Sequence, residues 1–244
     1  MSCEDHAMRI LCVIPVRGGS KGLLRKNAAE LVEGVSLLEW TIRQGLASYP
    51  VENVVVSTED FELAGIAQNC GVLVSARPAE LAQDETTTAA VIDHLLAQLD
   101  PDAALFDAMA ILQVTSPLRQ LSDIRRSIEM ISSGAYDSVI SAYQTMACHP
   151  AKLYFLDETQ AMPTLIPFAP ECQHARRQDL PKAFRRNGAI FIVTREYFEK
   201  TGQLWGGHTG LVVMPESRSI DIDTPADLEK ARQMMIQLKT EALQ

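Results

Sequence analysis

The chain has 244 residues, 47% of them hydrophobic and 22% charged, enough to bury a substantial core in one large α/β domain. A formal net charge of −9 argues against a nucleic-acid binder that works by broad positive charge, though not against a small anion held by a local field. No apolar run reaches the ~18 residues of a membrane span, the polar start MSCEDHAMRI is unlike a signal peptide, and five scattered cysteines with no Cys-x-x-Cys pair suit the free thiols of a cytoplasmic protein better than a zinc site or a disulfide framework.

In chain order, the nearly continuous apolar run Arg9–Val16 predicts a strand buried on both faces. Ser36–Tyr49 reads as a helix, with Ser36 and Glu39 at capping-box spacing. Asn53–Ser57 reads as a strand, Asp60 opens a helix to about Asn69, and Val72–Ala76 is a further strand. A helix is expected over Glu85–Leu99, a strand over Ala108–Val114, a helix over Ser122–Ile131 with Ser122 as its cap, and a strand over Asp137–Tyr143.

From about Gln144 to Arg186 five prolines interrupt the pattern, which marks an insertion used as a lid, a binding subdomain or an oligomer contact. Regularity returns in the strands Ala189–Thr194 and Gly210–Pro215 and in a last helix over Pro225–Leu238, with Thr224 as cap and Pro225 in the first helical position. The alternation predicts an α/β, Rossmann-like three-layer sandwich with a mostly parallel sheet. Residues 1–244 then form a single domain carrying a small insertion at about 144–186.

Two stretches carry chemistry. The first strand stops at VIPVRGGSKGLLRKN, where Arg17, Lys21, Arg25 and Lys26 crowd around Gly18 and Gly19. In open α/β sheets ligands sit beyond the carboxyl ends of the strands, and paired glycines let several amides face one anion. The loop reads as a phosphate cradle, with a plain glycine turn and solvated lysines as the alternative. It is neither a Walker A loop nor G-x-G-x-x-G.

The second stretch is SRSIDIDTPADL. In an extended segment Asp221 and Asp223 share one face while Ile220 and Ile222 take the other. Two free carboxylates beside a phosphate loop suit Mg²⁺, with Mn²⁺ as the other candidate. Asp227, three residues after Thr224, reads as a helix cap.

Taken together, IPVRGGSKGLLRKN, VVVSTED, RPAELAQDETTT, LQVTSPLR, RRQDLPKAFRRNGAIFI and SIDIDTPADL resemble the acylneuraminate cytidylyltransferases, the CMP-sialic acid and CMP-legionaminate synthetases, over about Arg9 to Lys230. The resemblance implies transfer of CMP from CTP to the anomeric hydroxyl of a nine-carbon α-keto acid sugar, with release of pyrophosphate.

It also implies residue roles. Arg17, Gly18, Gly19, Ser20, Lys21 and Lys26 would hold the triphosphate, and Asn27 would close the loop and touch the nucleotide or the attacking oxygen. Arg77, Thr87 and Thr88 would read cytosine and ribose. Gln113 would reach the sugar, and Lys152 and Arg177 its carboxylate. Phe191 stands where some relatives have tyrosine, and Cys148 where others have histidine. Arg17, Lys21, Asp221 and Asp223 would be the catalytic set, with the metal on the two aspartates.

The inserted segment implies a homodimer with shared sites, and the end of the chain soon after the last helix implies no appended phosphatase domain. RRQDLP leans toward neuraminate and legionaminate. The rivals are a pseudaminate or Kdo (eight-carbon) nucleotidyltransferase, a metal-dependent glycosyltransferase, and a catalytically silent nucleotide-binding protein.

Overall fold

In the computed structural model, which describes residues 7–19, 25–159 and 162–241, the first apolar run forms β1 (Ile10–Pro15). Ile10, Cys12 and Ile14 face one hydrophobic layer and Leu11 and Val13 the other. Both faces are covered, so the strand needs no polar alternation. After the cationic loop come β2 (Glu30–Val32), β3 (Val35–Ser36) and α1 (Leu37–Leu46), then β4 (Val54–Thr58), α2 (Phe61–Asn69) and β5 (Leu73–Ala76). The chain continues through α3 (Thr88–Leu99), β6 (Ala108–Ile111), α4 (Leu121–Ser132) and β7 (Ser138–Gln144). A hairpin of β8 (Tyr154–Asp157) and β9 (Thr164–Pro167) precedes β10 (Phe184–Thr194), α5 (Arg195–Thr201), β11 (Thr209–Val213) and α6 (Pro225–Glu241).

The main sheet has seven strands in the order β11-β7-β10-β6-β1-β4-β5. Only β10 runs against its neighbours, pairing antiparallel with both β6 and β7. Helices α1, α2, α4 and α6 cover one face, and α3 and α5 the other. This is the expected mostly parallel, three-layer α/β sandwich. Because β1, β4 and β6 are parallel, the loops after Pro15, Thr58 and Ile111 gather at one edge.

Local differences have local causes. The strand expected over Ala108–Val114 ends at Ile111, and residues 114–115 turn away ahead of Pro117. Helix α3 starts at Thr88 rather than Glu85, because Thr87 caps it by accepting the Ala90 amide at 3.2 Å. Ser122 is not the cap of α4. Gln120 is, in a reciprocal box with Asp123, whose carboxylate takes the Gln120 amide at 2.8 Å. Ser36 does cap α1, accepting the Glu39 amide at 3.2 Å, while the Glu39 carboxylate turns to Arg43 instead.

Thr224 and Asp227 form the box expected before α6: the Asp227 carboxylate accepts the Thr224 amide at 2.9 Å and the Thr224 hydroxyl accepts the Asp227 amide at 3.2 Å. Among the described residues no helix is long and apolar enough to cross a membrane, and Cys12, Cys70, Cys148 and Cys172 are free thiols.

Candidate active site

Arg17 lies two residues past the end of β1, and its carbonyl accepts the side-chain amide of buried Asn27 at 2.8 Å. Asn27 thus closes the cationic loop on itself. The Gly18 amide donates to Glu59 Oε1 at 2.8 Å, so a carboxylate from the end of β4 already faces one amide of the cradle. A Cβ on Gly18 would lie 2.3 Å from Asp60 Oδ2, which explains the glycine by close approach. Ser20 and Lys21 lie outside the described residues.

Lys26 turns to a different partner from the one expected of a phosphate ligand. Its ammonium donates to the Ile222 carbonyl at 2.7 Å and to Asp223 Oδ1 at 3.1 Å. The far end of the loop is therefore fastened to the aspartate segment. That segment is not a strand, yet its residues alternate as expected: Ile220 and Ile222 are buried, and Asp221 and Asp223 are exposed together. The Ile222 amide donates to the Thr115 carbonyl at 2.8 Å, which holds the segment against the turn after β6.

Two cavities open along this edge. One, of about 300 Å³, is lined by Arg17, Lys26, Asn27, Arg77, Thr88 and Gln113 among others. Arg77 is buried, donating to the Ser57 carbonyl at 2.7 Å, and burial lowers its pKa. Arg17 pairs with Asp84 at 2.7 Å.

The second cavity, of about 860 Å³, includes Thr87, Thr88, Gln113, Arg185, Arg186, Phe191, Trp205, Asp221 and Asp223 in its wall. The two share Thr88 and Gln113. A molecule in each would meet there.

Although Asp221 is open to solvent on one side, partial desolvation by the surrounding protein pushes its pKa up, a hydrogen bond from Thr115 opposes this, and the nearby Asp223 charge adds to it. Two carboxylates forced together in one wall fit a divalent cation that neutralises both. Among the described residues no group of three or more acid, histidine or cysteine ligands exists. Such an ion would complete its shell with substrate oxygens and water, as Mg²⁺ does.

Lys152 and Arg177 do not join either cavity lining; both are exposed on single helical turns of the inserted segment. Arg185 and Arg186 take that place within this chain. The Arg186 guanidinium stacks 4.1 Å from the Trp205 ring centre, and Trp205 packs 5.4 Å from Phe191. Trp205 had no counterpart in the sequence reading. Its signal was faint: one of two tryptophans, beside a glycine pair in a short loop.

The model of a family described as Cytidylyltransferase matches residues 11–240. The chain belongs to that cytidylyltransferase family. The chain is 31% identical, over 91% of its own length, to an N-acylneuraminate cytidylyltransferase of Escherichia coli O18:K1:H7, of which it spans about half, 51%. It is 29% identical to post-translational flagellin modification protein B of Campylobacter coli, covering 90% of this chain and 92% of that one. It is also 28% identical to a pseudaminic acid cytidylyltransferase of Campylobacter jejuni, covering 92% and 95%. Among solved structures, a CMP:2-keto-3-deoxy-manno-octonic acid synthetase complexed with CTP superposes with a TM-score of 0.69 at 18% identity, covering 94% of this cytidylyltransferase and 99% of that chain. That likeness bears on the fold.

Proposed function

We propose that this cytidylyltransferase transfers CMP from CTP to the anomeric hydroxyl of a nonulosonic acid and releases pyrophosphate. The observation that carries the reading is the meeting of the two cavities at Thr88 and Gln113. The smaller one, rich in cations, suits CTP. The larger one, with Arg185, Arg186 stacked on Trp205 and two aspartates in its wall, suits an acidic sugar.

In this reading Arg17 and Lys26 face the phosphates, with Lys21 of the same loop assigned to them as well, and Arg77 and Thr88 face the cytosine and ribose; Thr87, expected beside them, lines the acceptor cavity instead. Gln113 contacts the acceptor across Gly188, and Arg185 and Arg186 attract its carboxylate. The acceptor oxygen forms a bond to the α-phosphorus as the bond to pyrophosphate breaks, and the hydroxyl proton passes to solvent. Among the described residues no histidine lines either cavity. His149, for one, bridges the Ala151 amide and the Pro181 carbonyl. Asp221 and Asp223 would hold Mg²⁺, or Mn²⁺, which when bound would neutralise phosphate charge. The chain's own share is to align the reactants and neutralise departing charge.

The protein is proposed to act as a cytoplasmic homodimer. Tyr154, Phe155, Leu156, Leu165, Ile166 and Phe168 are all well exposed on the hairpin, a patch that favours association. Lys152 and Arg177 on the same segment would then reach the partner's acceptor cavity. Relatives named for neuraminate and pseudaminate bracket the acceptor class, and the RRQDLP string favours neuraminate or legionaminate. The test is pyrophosphate release with CTP and a panel of free N-acetylneuraminate, legionaminate, pseudaminate and Kdo. No release with any of the nine-carbon acids would overturn the reading.

A further inference from the structure

Arg119 is the largest fully buried side chain among the described residues, and it lies in neither of the two cavities. All the partners of its guanidinium are neutral. Nε donates to Gln44 Oε1 at 3.0 Å, Nη1 to the Ala189 carbonyl at 2.5 Å, and Nη2 to the Gln113 carbonyl at 2.7 Å and the Thr41 hydroxyl at 3.3 Å. Burial pushes its pKa down to about 10. A buried cation with no acid bonded to it, supported only at a distance by Asp123, is costly, and an apolar side chain of like size would pack there at lower cost.

What the guanidinium does that no apolar group could is span two strand ends. It joins the backbone of Gln113, just past β6, to that of Ala189 in β10, and ties both to α1. Gln44 returns the grip, donating to the Arg119 carbonyl at 2.7 Å and the Pro117 carbonyl at 3.3 Å. The side-chain end of Gln113 lies close over Gly188, which has φ +75° and where a Cβ would lie 2.8 Å from Gln113 Oε1. Its amide thus lies against bare backbone at the junction of the cavities.

We infer that Arg119 is a positioning residue that sets Gln113 at the meeting point of the two cavities, and that α1, through Thr41 and Gln44, stiffens the setting. Acceptor recognition then depends on a charge that the acceptor never touches. The inference rests on Gln113 being an acceptor contact, as proposed above.

The experiment is a cycle of R119K and Q113A in the full chain, with KM for acceptor and for CTP, kcat and thermal melting measured on each. Lysine keeps the charge but cannot fork across two carbonyls. R119K is expected to raise the acceptor KM about tenfold, the scale of losing a charged hydrogen bond. In the Q113A background it should add under about twofold, since coupled residues are not additive. Q44M, outside both cavities, should raise the acceptor KM in the same direction, more than the CTP KM, and decides the matter if R119K does not fold.

An unchanged acceptor KM in folded R119K or Q44M overturns the inference. The same factor in both backgrounds overturns it too, and leaves Arg119 a purely structural residue. A Q113A protein with a normal acceptor KM would instead overturn the acceptor reading of Gln113 itself.

Discussion

The Lys26 ammonium lies 3.1 Å from the Asp223 carboxylate, bridging residues 197 positions apart in the chain. It also holds the Ile222 carbonyl, and its side chain is only 11% exposed. The loop proposed to cradle phosphate and the aspartates proposed to hold metal are therefore one mechanical unit. Moving either moves both.

Lys26→Met should lower kcat about a hundredfold, the scale of losing one aligned charge donor. It should also raise the magnesium concentration needed for half-maximal activity, because Asp223 loses its anchor. A magnesium titration of the variant checks this. A lower kcat at an unchanged magnesium midpoint would mean that Lys26 serves phosphate alone.

Asp221→Asn and Asp223→Asn should each abolish most metal-dependent turnover, by about a hundredfold or more, while melting stays close to the parent protein. Full activity of either across a magnesium titration would remove it from the metal site.

Arg77→Met should raise the CTP KM about tenfold to a hundredfold, through loss of a charged donor in the smaller cavity, with a much smaller effect on the acceptor KM. Equal effects on both substrates would place Arg77 in the scaffold alone.

Asp100 offers a pH test of stability away from the site. Despite its burial, the amides of Phe106, Ala104 and Leu105 and the Arg195 guanidinium hold its carboxyl below the usual aspartate range. With the folded pKa depressed, its stabilisation is fully present above the unfolded value and is lost as pH falls through the folded one. Asp100→Asn should cost about 1.5–3 kcal/mol at neutral pH, the scale of one charged hydrogen bond, since Arg195 keeps Glu199 and the residue-100 carbonyl as partners. The gap between the two proteins should shrink in acid, read by denaturant unfolding at a series of pH values. A constant gap would sink the assignment.

Leu156 and Leu165 are directly paired across β8 and β9 and are 57% and 64% exposed. Leu156→Asp with Leu165→Asp should convert a dimer to a monomer in sedimentation and lower acceptor turnover. An unaltered dimer would place the interface elsewhere.

The sequence by itself determined the seven strands of the main sheet and their alternation with α1–α4 and α6, the cationic turn at the end of β1, and the shared face of Asp221 and Asp223. Each depends on neighbours a few residues apart, where backbone period and capping chemistry act directly. Local reading erred where near residues competed for one role, as Gln120 did with Ser122 at the start of α4, and it passed over the short elements β2, β3, β8, β9 and α5.

Only the tertiary structure decided which cations face which cavity. The reversed strand β10 breaks register with β7 between Arg186 and Phe191, and that region brings Arg185, Arg186 and Phe191 into one wall with Trp205. Lys152 and Arg177 are left on the outside of the same chain. The grip of Lys26 on Asp223 and of Arg119 on Gln113 and Ala189 likewise joins segments far apart in sequence. Such contacts depend on how distant elements pack, and no local pattern of side chains encodes the distance between them.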